Sequence, residues 1–95
     1  MPRDYPAARN AAITVGVGPT NVANAQERTV IYIKNTSPAA QTVTVVLGDF
    51  AINAGIILAV GDVYYDSDGD RYQCWRGPII CYGTDGAAAI SLHEH

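Results

Sequence analysis

The chain has 95 residues, nearly half of them hydrophobic, with six basic and nine acidic side chains and a formal charge of −3. That length allows one domain with one modest core, since a chain of this size buries roughly 60–65% of its unfolded surface. The basic residues (Arg3, Arg9, Arg28, Lys34, Arg71, Arg76) are scattered rather than clustered, which argues against nucleic-acid binding, and no run approaches the about 20 apolar residues that cross a bilayer.

Met1 to Asn10 holds two prolines and three charges without periodicity, and reads as an arm, extended or disordered when free, that lies on a neighbour, ahead of a domain over residues 11–95. It lacks the apolar stretch of a signal peptide, so synthesis and retention in a cytosol are expected. Ala11 to Val17 alternates, with Ile13, Val15 and Val17 on one face, and Gly18-Pro19 ends this first strand. Thr20 to Glu27 has no apolar stripe and reads as a loop.

Thr29 to Asp49 is the organising stretch. Two runs rich in Val, Ile, Thr and Tyr flank a Thr-Ser-Pro-Ala-Ala cluster, which predicts a β-hairpin. Ile31 and Ile33 share a face with Thr29 and Asn35, and Val43, Val45 and Leu47 share a face on the second arm. Phe50 and Ile52 follow, then a turn at Asn53-Ala54-Gly55 and a strand over Ile56 to Val60, stopped by Gly61-Asp62. Val63 to Tyr65 is a brief strand, Asp66 to Asp70 a surface turn, and Tyr72 to Trp75 extended again. Ile79 to Tyr82 and Ala87 to Leu92 flank Gly83-Thr84-Asp85-Gly86, which predicts a second hairpin because Asp-Gly supplies the positive φ of tight turns. About seven or eight short strands separated by turn residues predict an all-β single domain, a β-sandwich or small jelly roll, with no helix.

Candidate chemistry is sparse. Asp66, Asp68 and Asp70 alternate as in a D-x-D-x-D calcium loop, but Arg71 stands where that motif needs Gly and Gly77 where it needs Glu; solvated turn carboxylates are the simpler reading, a weak cation site the other. His93 and His95 point the same way on a strand and could chelate a metal, but at a terminus they read as a frayed tail or a contact with a neighbouring subunit. They are the only histidines, so a Ser–His or Cys–His nucleophile pair would have to include one of them, and no enzymatic activity and no cofactor are expected. Cys74 would fall opposite Cys81 if Gly77-Pro78 made a two-residue turn; buried free thiols are the alternative. Asn35-Thr36-Ser37 matches a glycosylation acceptor but reads as a turn. Tyr64 and Tyr65 face opposite sides of a strand, so one looks outward as core, rim or subunit-contact material, and Trp75 is core or interface.

The arm, RTVIYIKNTS, TVTVVLGD, INAGIIL and CWRGPIICYGTDGAAAISLHEH together resemble the small β-sandwich structural proteins of tailed bacteriophages, the capsid decoration (cement) proteins and head-fibre modules. The resemblance covers Ala12 to Glu94 and lies in spacing and turn residues. It implies a jelly-roll-like domain on the outside of the capsid, often trimeric, that clamps the major capsid protein against internal pressure and resides in the virion. On that reading Arg3, Tyr5 and Arg9 are the first candidates for capsid contact. The competing expectation is a head-fibre or tail adsorption module whose aromatics stack on host surface glycans, and a third is a phage-encoded enzyme or inhibitor.

Overall fold

The computed structural model describes residues 8–38, 40–48, 55–84 and 86–95. Its strands are β1 (Arg9–Val15), β2 (Thr20–Ala23), β3 (Val30–Asn35), β4 (Val43–Leu47), β5 (Ile56–Leu58), β6 (Val63–Ser67), β7 (Ile79–Gly83) and β8 (Ala88–Glu94). They form two four-stranded antiparallel sheets, β1-β8-β3-β6 and β2-β7-β4-β5. The first strand therefore pairs with the last, the second with the seventh, the third with the sixth and the fourth with the fifth. This is an antiparallel ribbon doubled back on itself and wrapped into a sandwich, the connectivity of an eight-stranded jelly roll. No helix occurs among the described residues.

Alternation builds the core. Val15, Ile31, Ile33, Ile90 and Leu92 from one sheet meet Val22, Val43, Val45, Ile79 and Cys81 from the other, all buried. β-branched side chains dominate this list because they fit the crowded inner surface of a pleated sheet. On β4 the outward residues Thr44 and Val46 are buried as well, because the backbone at Gly55 passes over them. Gly55 has φ +127°, and a Cβ there would stand 2.7 Å from the Val45 carbonyl oxygen, so this position admits only glycine.

Both expected hairpins are corrected. β3 and β4 lie in different sheets, and so do β7 and β8, so each Gly- or Ser-rich connection is an arch across the sandwich. Inward-facing Ile31, Ile33, Val43 and Val45 satisfy the same period of two in either arrangement, so periodicity alone does not separate a hairpin from an arch. The deciding residue is Asn35. Its buried amide donates to the carbonyls of Gln41 and Leu58, while its Oδ1 accepts from the Ser37 backbone N–H, turning the chain out of the first sheet. The buried side chain also rules Asn35 out as a glycan acceptor in the folded protein. The two arches interlock. Thr84 Oγ1 accepts from the Thr42 N–H and donates to the Thr42 carbonyl, and Ser37 Oγ accepts from the Ala89 N–H.

Other boundaries also move. Thr20 to Ala23, expected as loop, is a strand, short and bulged where its register with β7 shifts between Asn21 and Ala23. β1 begins at Arg9, so the last two residues of the expected arm are strand. β6 runs on to Ser67, while Tyr72 to Trp75 is not a strand and makes only an isolated bridge between Tyr72 and Gly69. Cys81 sits opposite Thr20 and Val45 rather than Cys74, and both thiols are buried and free. Phe50, Ile52, Asn53, Ala54 and Asp85 lie outside the described residues.

Candidate functional site

β8 carries the centre of a charged knot. Its last residue, Glu94, faces inward, level with Ile31 of β3 and Arg9 of β1. Glu94 is 1% exposed and Arg28, just before β3, 2%. Arg28 Nε donates to Glu94 Oε1 at 2.7 Å and Arg9 Nη1 to Glu94 Oε2 at 2.8 Å. The remaining Arg28 contacts are backbone carbonyls: Nη1 donates to Trp75 and Gly77, and Nη2 to Asn24. One guanidinium thus ties the loop after β2, the loop before β7 and the end of β8 together, using the planar fork that distinguishes Arg from Lys. Burial opposes ionisation of Glu94, but the hydrogen bonds from Arg9 and Arg28 outweigh it and hold the carboxyl below the usual range. The tail expected to be frayed is therefore a central strand, and the His95 backbone is held on both sides by Thr29 and Val30.

Beside this knot an open polar cleft of about 410 Å³ is lined by Arg9, Asn21, Asn24, Gln26 and Glu94. Its charged groups already satisfy one another: Arg9 Nη1 bonds the Val22 carbonyl as well as Glu94. The cleft is a seam between strands, with no nucleophile beside a base among the described residues that line it.

The acidic stretch is structural scaffolding at Asp66 and Asp68 and a solvated turn at Asp70. Asp66 lies on β6, and its Oδ2 accepts from the Trp75 backbone N–H at 3.1 Å and the Tyr72 hydroxyl at 2.8 Å. Asp68 Oδ1 accepts from the Cys74 N–H, and its Oδ2 pairs with Arg76 at 2.9 Å. These bonds fasten the irregular segment before β7, which has no sheet partner of its own. Asp70 is exposed. No group of three or more His, Cys, Asp or Glu placed to hold a metal ion occurs among the described residues. The neighbouring phenol and thiol respond to the same environment: burial first, then the Asp66 charge, pushes up the ionisation of Tyr64 and of Cys74. Burial alone pushes the Cys81 thiol up to about 12, so neither cysteine is an activated nucleophile.

The aromatic candidates separate. Tyr64 faces inward and packs against the core, whereas Tyr65 faces outward and is 60% exposed. Trp75 is half-buried against the core, its indole N–H donating to the Pro78 carbonyl. A Cβ at Gly77 would run into the Trp75 ring, so glycine lets the loop lie under it. Arg3 and Tyr5 lie outside the described residues. Arg9 is tied into the knot, leaving its side chain 44% exposed.

Two features were not singled out from the sequence. The first is an apolar edge. β5 and β6 are outermost in their respective sheets and touch each other, and along them Ile56, Ile57, Val60, Val63 and Tyr65 are exposed. Of the run Ile56 to Val60, expected as one strand, Ile56–Leu58 is strand and only Leu58 is buried. The second is a row across the outer face of the first sheet, where Tyr65, Tyr32, His93 and Asn10 stand side by side in register. No protein family, curated protein or solved structure matches this chain.

Proposed function

We propose that this chain is a non-enzymatic structural protein of a bacteriophage particle, one that binds the outside of the shell and stabilises it. The observation behind this reading is the apolar edge formed by Ile56, Ile57, Val60, Val63 and Tyr65 on β5 and β6. Exposed apolar residues along two edge strands mark contact surfaces, since an open strand edge can take up a further strand and the side chains gain burial. A small core also gains stability from whatever binds the folded state. The partners on this reading are the major capsid protein and further copies of the chain, a trimer being the arrangement the sequence resemblance implies. The jelly-roll order is compatible with this role but common to many others.

A second reading has its own observation. The flat row Tyr65, Tyr32, His93 and Asn10 on an outer sheet face offers rings for stacking and polar edges for hydrogen bonds, as a glycan-binding adsorption module would require.

Quantitative mass spectrometry of purified virus particles tests both. Copies in simple proportion to the major shell subunit are expected for the stabilising role. A handful of copies per particle would transfer the assignment to adsorption, and absence from particles would overturn both.

A further inference from the structure

The outer-face row ends beside His95, a residue that neither reading uses. His93 Nε2 and His95 Nδ1 are 2.8 Å apart, and His93 Nδ1 is 2.7 Å from Asn10 Oδ1. An amide oxygen only accepts, so in the neutral ring His93 Nδ1 carries the proton and Nε2 the lone pair. His95 Nδ1–H is then the donor between the rings. We propose that His93 and His95 form a bidentate site for a divalent transition-metal ion, with Asn10 as the positioning residue.

Three features favour it. His93 lies on β8, which is flanked by β1 and β3, and His95 follows directly after the end of that strand. The His95 backbone is fixed by its N–H to the Val30 carbonyl and by its carbonyl accepting from Thr29 and Val30, so the chelate is anchored before any metal arrives. At a metal–nitrogen distance of about 2.0 Å, two nitrogens at a right angle lie about 2.8 Å apart and two at a tetrahedral angle about 3.3 Å. The 2.8 Å separation equals the nitrogen spacing at a right angle, as at Cu²⁺ or Ni²⁺, and the two rings, which face each other in the hydrogen bond, turn their lone pairs onto the metal when it binds; Cu²⁺ also stands above Zn²⁺ in intrinsic affinity. Finally, a ligating histidine ordinarily donates its other ring N–H to an oxygen acceptor that fixes its tautomer, and Asn10 is such an acceptor. On binding, the metal takes the His93 Nε2 lone pair. The His95 proton moves from Nδ1 to Nε2, freeing Nδ1 as the second donor with no net proton release. Water fills the remaining positions. Both rings are half-buried, leaving solvent access for those waters.

The test is calorimetric titration of the full chain with Ni²⁺, which does not oxidise the thiols, together with Cu²⁺ electron paramagnetic resonance. Saturable one-to-one binding and a two-nitrogen copper signature are expected, with His93→Ala and His95→Ala each abolishing both. Asn10→Ala should weaken Ni²⁺ binding about 10–100-fold, while Asn10→Asp, which keeps an oxygen acceptor, restores it at an unchanged melting temperature. Binding that survives either histidine substitution, binding that never saturates, or an Asn10→Asp chain as weak as Asn10→Ala would overturn the proposal.

Discussion

The two ends of the first sheet invert the usual rule in opposite ways. Where β3 begins and β8 ends, ionised Arg28 and Glu94 are buried; where β3 ends, at the turn from β5 to β6, Val60 and Val63 are exposed. The charged end is closed, because almost every polar atom there has a partner within the chain. The apolar edge is open, with side chains that no described residue covers. Stability is thus concentrated at the charged end, and on the proposed reading the apolar edge serves association, so substitutions should separate the two properties.

The largest effect should come from Glu94→Ala. Removing one member of a buried ion pair strands the other, a loss of about 3–5 kcal/mol, visible as a large fall in the urea midpoint. Asp66→Ala should cost about 1–3 kcal/mol, because the Trp75 N–H loses its acceptor; the irregular segment before β7 should then show faster amide exchange. Acid acts on the same end more gradually. Since the folded-state ionisation of Glu94 is depressed, its contribution is fully present above the ordinary glutamate range of about 4.3. It is lost as pH falls through the lower folded-state value, so melting temperature should decline below that range, and Glu94→Gln should flatten the decline. At the apolar edge Ile57→Lys should change stability by less than about 0.5 kcal/mol, yet abolish particle binding, as measured by co-sedimentation with shells lacking the protein. The smallest effect is expected of Tyr72→Phe, which removes one exposed hydroxyl contact to Asp66 and should leave particle binding unchanged.

The sequence disclosed the kind of structure better than its pairing. Alternation at Ile31, Ile33, Val43 and Val45 identified strands and their inward faces, because burial imposes a period of two whichever partner the strand finds. It did not identify partners, because an arch and a hairpin share that period and differ through the hydrogen bonds of a single buried Asn35. β2 was illegible for another reason: four residues with a bulge give too short a pattern, and its place is fixed by β7. The charged knot left no local trace. Arg28 and Glu94 are 66 positions apart, and only the adjacency of β3 and β8 turns two ordinary charged residues into one buried unit. His93 and His95 were visible as a pair, but their terminal position suggested fraying, and nothing local showed that β8 lies inside a sheet or that Asn10 stands beside them.

The pairing of first strand with last also sets a schedule. β8 lies between β1 and β3, so while the chain is being translated that sheet has a gap at its centre until residue 94 has emerged, and Arg28 waits for its carboxylate over the same interval. Most of the pairings are distant in sequence, which slows folding further. During that delay the future core and the apolar edge are exposed together, the kind of transient surface that makes incomplete chains prone to aggregate. Completion of β8 is thus the event that distinguishes a vulnerable polypeptide from a closed sandwich.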